Sequence, residues 1–287
     1  MLITLESIAV DGQLLQATFI PSMGMNLISF KKGAREVIDQ STTPLFQDHF
    51  AGLGALIGPH FHRRKPDQIS ALPFEERFSH IARVKAKGIQ EPFSHGIARY
   101  APWICTSTGN TLHAKISGED IWNDVSLSVL EGFHFTMRLD ARLTPQGLFL
   151  ELSVDADRPS IVGYHYYYQI GSVADVTMQN TKPQYFDGQT LSETPSAWIE
   201  KEHIKMPIQG AIDWGFYPQD IGKTSTILLQ SGKEKLRVSY QSQAEESSLQ
   251  IYHPVNASYV CIEPLSATLP RNPKLFSSGV NMQIEIL

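Results

Sequence analysis

The sequence predicts an all-β protein, built as a sandwich or a barrel. Three observations lead there. Apolar and polar residues alternate with a period of two in many short runs. Turn residues punctuate those runs. No long stretch carries an apolar stripe at helical spacing. Many short strands at this spacing pack as sheets around a common core.

The elements follow in chain order. Phe46 to Leu56 is the one segment where a short helix is expected. Val125 to Leu130 reads as a strand, Glu131-Gly132 as a tight turn, and Phe133 to Leu139 as the returning strand. Pro145-Gln146-Gly147 turns the chain into Leu148 to Asp155. Ser160 to Ile170 is a strand rich in tyrosine. Gly210 to Gly222 holds several turn residues and reads as a loop. Leu236 to Gln241, Leu249 to His253, Tyr259 to Glu263 and Met282 to Leu287 close the sequence.

Composition narrows the class. At 287 residues the chain exceeds an average domain, yet β-architectures often reach this length as one unit. No repeat, low-complexity tract or Pro/Gly/Ser linker divides it, so a single domain over 1–287 is expected. Apolar residues make up 42%, enough for a sizeable core, and the 18% charged residues argue against disorder. A net charge of −5 gives no basic field for nucleic acid or an anionic membrane. Met1 to Ile20 lacks a basic start and carries Glu6 and Asp11, so no signal peptide is expected. No uncharged apolar run is long enough to span a bilayer. Cys105 and Cys261 cannot make a disulfide framework. A reduced, cytoplasmic setting is the expectation.

Four segments could carry chemistry. The first runs from Ser94 to Trp103 and holds His95, Arg99 and Trp103. Arginine offers a bidentate fork to vicinal hydroxyls or phosphate. Tryptophan offers a flat face to the C–H side of a sugar ring. The same residues also read as a structural loop, with the Trp in the core and the Arg paired. The second is Gly163-Tyr164-His165-Tyr166-Tyr167-Tyr168. As a strand it sets His165 on one face with Gly163 and Tyr167, and the other three tyrosines on the opposite face. A histidine among aromatics is either a tunable proton donor or a satisfied structural group.

The third is Val260-Cys261-Ile262-Glu263-Pro264. Pro264 is expected to end the strand ladder. A carboxylate leaving an apolar strand is poorly solvated, which raises its pKa and its strength as a base. It reads otherwise as a salt-bridged strand end. Cys261 reads as a small buried hydrophobe rather than a nucleophile. The fourth is Gly58 to Arg64. His60 and His62 on a strand would share a face, as metal sites often need. The spacing from Gly54 resembles in part the cupin metal motif, but no glutamate follows and only Asp67 is nearby. No metal is expected.

Together these segments resemble the aldose 1-epimerase, or galactose mutarotase-like, superfamily. Phe19 to Phe30 is similar to its N-terminal strand pair, with a glycine turn before an "L-x-S-F" run. His95-Gly96-Ile97-Ala98-Arg99 with Trp103 is similar to the "H-G-F-A-R…W" element of the hexose-6-phosphate branch. Gly163 to Tyr167 resembles "G-x-H-x-Y-F", and Cys261 to Pro264 resembles "C-x-E-P", with Asn272 near the expected downstream asparagine. Asp213 is similar to an aspartate that contacts sugar hydroxyls. In place of an "N-R" pair stands His62-Arg63.

The resemblance implies a one-domain β-supersandwich with an open groove and no cofactor. It implies interconversion of the α and β anomers of a free or phosphorylated aldose. Glu263 would be the base, His165 the acid, and His95 the group that orients the ring-oxygen side. Arg63, Arg99, Trp103 and Asp213 would hold the sugar. Base and acid are expected on opposite sides of C1 and O5. Fold alone does not establish activity. A non-catalytic sugar-binding or sensing protein on the same fold is the main alternative, and the oligomeric state is not legible.

Overall fold

The computed structural model describes residues 1–65, 69 and 71–287, so Asp67 lies outside the described residues. Two large antiparallel sheets face each other. The first runs, in order, through Ile3–Ile8, Leu14–Ile20, Asn26–Lys32, Gly54–Ile57, Gly163–Gln169, Tyr259–Leu265, Ser248–His253, Ile212–Pro218, Thr181–Phe186 and Leu191–Glu193. The second runs through Ile199–Glu200, His203–Pro207, Ala174–Gln179, Ser225–Ser231, Glu234–Ser242, Ser277–Ile286, Gly147–Ala156, Phe135–Thr144, Thr111–Ser117 and Ile104–Ser107. The architecture is a β-sandwich of two large antiparallel sheets.

Period-two patterning builds the core. In Phe135–Thr144 the side chains of Phe135, Met137, Leu139, Ala141 and Leu143 are buried, while Arg138, Asp140 and Arg142 are exposed. Tyr164, Tyr166 and Tyr168 fill the space between the sheets, fully buried. Tyr164 donates its hydroxyl proton across that space to the carbonyl of Val280 at 3.2 Å. The intervening residues Gly163, His165 and Tyr167 therefore turn to the outer face. Among the described residues, no helix is long and apolar enough to cross a membrane.

Four local expectations change. Val125 to Leu130 is a strand only at Val125–Ser126; Leu127–Glu131 is a short helix ended by Gly132 at φ 92°. Its apolar residues serve both periods, and burial of Leu127 and Leu130 decides for helix. The expected loop 210–222 contains the strand Ile212–Pro218, whose pairing with Ser248–His253 outweighs the turn residues around it. The expected helix over Phe46 to Leu56 splits into the helix Thr43–His49 and the strand Gly54–Ile57. Pro264 does not end its strand, which continues to Leu265. It pairs with Leu249 on one side, while on the other the ladder is broken between Gly163 and Tyr166, where a missing N–H is tolerated.

One glycine fixes how the first sheet meets the loop that follows Phe93. Gly24 has φ 68°, and its N–H donates to the carbonyl of Ala101 at 3.1 Å. A Cβ built there would lie 1.7 Å from the carbonyl oxygen of Arg99. Gly24→Ala should therefore lower unfolding free energy by about 2 kcal/mol or more, read from urea denaturation. Gly12→Ala is the control. It shares a positive φ, 84°, but meets nothing within 4 Å, so it should lose only about 1 kcal/mol.

Candidate active site

Sheet register assembles the site. Gly163 pairs with Leu265 and Tyr166 with Ile262, which sets His165 opposite Glu263. Glu263 pairs onward with Gln250, and Gln250 with Gly215. Ala55 flanks His165 on the other side. This row crosses five strands on the outer face, with small residues at its ends. A second row lies beside it: Tyr167, Cys261, Tyr252 and Asp213. His165, Glu263 and Gln250 of the first row and Tyr167, Tyr252 and Asp213 of the second floor a groove of about 660 Å³, within the range of small-molecule sites. Loops form its walls: Phe61 to Arg63, Ser94, His95, Arg99 and Tyr100 on one side, and Leu269 to Asn272 on another.

His165 Nε2 and Glu263 Oε1 are 3.2 Å apart, and both residues are buried. The imidazole and the carboxylate thus lie side by side on adjacent strands. Burial pushes the Glu263 carboxyl well up, partly offset by the Arg99 guanidinium. Burial, reinforced by Arg99, pushes the His165 imidazole well down. The pair therefore keeps a proton between its two members more readily than it keeps two charges. His95 stands edge-on to His165, ring centroids 5.2 Å apart, and is likewise pushed well below its ordinary range by burial and then Arg99.

Arg99 is buried beneath the groove. Its Nε donates to the carbonyl of Leu56 at 2.9 Å, and its Nη2 has no partner among the described residues. His95 Nδ1 and His165 Nδ1 are also buried and unpartnered. A buried unpaired polar group costs about 1–3 kcal/mol until it is satisfied, so a ligand rich in hydroxyls complements this set.

The wall carrying His95 is tied down by a buried ionic cluster. Glu91 accepts from Arg64 through both oxygens at 2.8 Å, and Arg64 also donates to the carbonyls of Leu130 and Glu131. Glu131 accepts from the backbone N–H of Ile97 at 3.0 Å and bonds His60 Nδ1. His95 N–H donates to the carbonyl of His62 at 2.7 Å, and Gly58 N–H to that of His95 at 2.8 Å. Gly96, at φ 92°, lets the two loops meet, since a Cβ would lie 1.9 Å from Gly58 O.

The other candidates distribute as follows. Arg63 and Asp213 line the groove, and Asp213 Oδ1 accepts from Gln250 Nε2 at 2.6 Å. Trp103 does not line it. That residue is a correction: it is 5% exposed, packs in the core, and donates from Nε1 to the carbonyl of Ala98 at 2.8 Å. A ring in a turn-like segment reads the same whether it points inward or outward. His60 and His62 are not on a strand. His60 turns inward to Glu131, while His62, at φ 57°, faces the groove. Gln250, Tyr252, Tyr217 and Arg271 also line the groove and were not foreseen. The first two share one face of their strand by its period, and the pairing with Tyr259–Leu265 brings that face beside Glu263.

The second sheet has its own concavity of about 560 Å³ around His113, Asp140 and Phe149. Its imidazole and carboxylates are exposed, so it lacks the desolvated acid–base pair of the groove.

The fold has relatives of known structure. A galactose mutarotase-like protein from Lactobacillus casei superposes with a TM-score of 0.70 at 14% identity, covering 100% of both chains. A galactose mutarotase related enzyme from Lactobacillus acidophilus gives 0.63 at 16%, again over 100% of both. The GalM/aldose epimerase homologue from C. elegans gives 0.64 at 11%, over 100% of this chain and 99% of that one. No protein-family model matches the sequence, and no curated protein matches it. The chain therefore has the galactose mutarotase-like fold, and its activity must be argued from the groove.

The buried imidazoles predict how stability responds to pH. Burial pushes His62 and His80 each down to about 4, His62 with help from Arg271 and Arg63. His95 and His165 move the same way. Each group binds a proton in the unfolded chain before it does in the folded one, so stability falls as pH drops from about 6.5 to about 4. Glu263, pushed up, opposes this by losing stability as pH rises above 4.5. Four imidazoles outweigh one carboxyl. Urea midpoints should fall on acidification across that window, by up to about 1.4 kcal/mol per pH unit for each group. His80→Gln should make the fall shallower; a flat profile in the parent protein would contradict the assignment.

Proposed function

We propose that the chain is an aldose 1-epimerase, interconverting the α and β anomers of an aldose through ring opening and reclosure. The observation that carries this reading is the buried His165–Glu263 pair, 3.2 Å apart on the floor of a groove of sugar size. In this reading the whole chain, 1–287, acts as one unit.

The anomeric hydroxyl and the ring oxygen O5 are both bonded to C1, so neighbouring groups can serve them together. Glu263 accepts the proton of the anomeric hydroxyl. The C1–O5 bond breaks as the C1=O1 double bond forms, and O5 takes a proton from His165. Rotation about C1–C2 presents the other face of the aldehyde. O5 then attacks C1, its proton returns to His165, and Glu263 gives its proton back to O1. No net proton is consumed. The pair thus exchanges only its internal proton distribution, which suits two groups that burial keeps from being charged alone. His95 orients the O5 side. Arg99 Nη2 donates to a ring hydroxyl and supports the carboxylate form of Glu263. Asp213, held by Gln250, accepts from another hydroxyl. Residues on this chain complete the cycle, with no cofactor called for.

An anionic substituent on the sugar fits the groove mouth. Arg63 and Arg271 are exposed there, and none of the ion pairs among the described residues involves either. Their charges converge on His62. A phosphate at the sugar's far end would meet two unpaired guanidiniums.

Exchange kinetics and sugar binding, measured side by side on variants, test the chemistry. Glu263→Gln should slow anomer exchange by on the order of 10²–10⁴-fold while changing sugar affinity little. His165→Asn should do the same, and the double variant should be scarcely slower than either. Near-normal exchange by Glu263→Gln would remove Glu263 as the base and move the binding-protein reading to first place.

The anion reading has its own test. Arg63→Gln and Arg271→Gln should each raise KM for a hexose 6-phosphate by roughly 10-fold or more, as expected for losing a hydrogen bond to a charged group. Free aldoses should be affected far less. Equal effects on both substrates would discard the phosphate.

A further inference from the structure

Cys261 has no part in the chemistry above, yet it sits within it. It precedes Glu263 by two residues on one strand, so both side chains leave the same face. It pairs across the ladder with Tyr167, the neighbour of His165 on that face. The result is a thiol, an imidazole and a carboxylate whose ligand atoms all lie within 4.8 Å of one another. Two of these, His165 Nε2 and Glu263 Oε1, are 3.2 Å apart.

We propose that His165, Cys261 and Glu263 form a three-ligand site for a thiophilic divalent cation of the zinc class, with a fourth position open to the groove. The distances suit the ion. Zinc bonds of about 2.0–2.3 Å in tetrahedral array set ligand atoms roughly 3.4–3.8 Å apart. The wider separations therefore need to close by no more than about 1.4 Å and the His165–Glu263 pair to open slightly, within side-chain adjustment. The donor set is that of open zinc sites, with three protein ligands and one position for solvent or ligand. The charges also balance. A thiolate and a carboxylate neutralise a 2+ ion, and the imidazole binds as the neutral base. Arg99 then faces a neutral cluster and is not repelled by a bare cation. Binding releases two protons to solvent, that of the thiol and the one shared by His165 and Glu263, with no change of oxidation state.

His60 and His62, the pair that the sequence pattern singled out, take no part. His60 is committed to Glu131. The metal site is legible only in the register of two strands far apart in sequence.

Occupation by the ion would engage both members of the acid–base pair, so it should inhibit. That consequence rests on the epimerase reading; the site itself rests on ligand geometry. Zinc-class metals would then act as a brake on the groove, released by a chelator.

Cobalt(II) is the probe, titrated into the full-length chain after metal removal. One equivalent should bind with visible bands of tetrahedral intensity and a near-ultraviolet thiolate-to-cobalt charge-transfer band. Cys261→Ala should lose that band and weaken cobalt binding by on the order of 100-fold, as expected when the soft ligand goes. Cys261→Ser repeats the test with the side-chain size kept. Cys105→Ser, which changes the other thiol, should keep the band. Absence of the band in the parent protein, or cobalt binding by the Cys261 variants as tight as the parent's, would overturn the site. In the activity arm, zinc should suppress anomer exchange in the parent and a chelator should restore it. In Cys261→Ala the ratio of exchange with zinc to exchange without it should stay near one, whatever that variant's own rate, while in the parent it falls; an equal fall in both would overturn the brake. If the parent protein catalyses no exchange, the epimerase reading fails, while the cobalt spectrum still decides the site.

Discussion

Everything in the groove depends on one register: Gly163 opposite Leu265, which puts His165 against Glu263. A slip of one residue would turn His165 and Tyr167 into the core and send Tyr164, Tyr166 and Tyr168 to the outer face. The three buried tyrosines oppose this, because a slip would expose all three rings and bury His165 and Tyr167 in their place. The placement of His165 beside Glu263 is thus a by-product of core packing on the opposite face. Gly163 contributes directly. A Cβ there would lie 2.6 Å from the carbonyl of Pro264, so only glycine lets the two strands approach this closely. Pro264 in turn occupies the point where the ladder is already broken.

The sheet fixes the His165–Glu263 pair, and loops complete the groove at a cost. Arg64, Glu91, Glu131 and His60 are drawn into a buried cluster beside the groove. Burying such charges is seldom a gain over apolar packing, since desolvation cancels most of the attraction. What the cluster supplies is position. It bonds the backbone at Phe93 and Ile97, on either side of His95, and so holds that imidazole edge-on to His165. The unpartnered nitrogens of Arg99, His95 and His165 are a second cost. All three residues line the groove, so a polar ligand there is what the proposed reading assigns to them.

Much of this was legible in sequence. The period-two pattern around Tyr164 assigned His165 to the face opposite the tyrosines, and the apolar run before Glu263 foretold a desolvated carboxylate. Both inferences needed only strand geometry. Arg99 was legible as a cation near His95, but its burial was not, because that depends on Gly24 and Leu56 from distant strands. Trp103 misled, since a tryptophan near polar residues looks alike on either side of a loop. Val125 to Leu130 misled because a short apolar run satisfies both periods. Arg271 carried no local signal at all; only the return of the chain after Leu265 brings it beside Arg63. The cross-strand neighbours Gln250 and Tyr252 required the sheet order, which alternation cannot supply.

The fold is shared with galactose mutarotase-like structures at identities too low to carry function, so the account stands on the groove. Its central claim is that this groove opens and recloses sugar rings. NMR exchange spectroscopy on the unmodified chain, across a panel of free aldoses and hexose 6-phosphates, tests that claim most directly. The account predicts that α and β anomer signals of at least one sugar exchange far faster than in buffer, in proportion to protein concentration. A sugar that binds in the groove while its anomers exchange only at the buffer rate, across the whole panel, would contradict it.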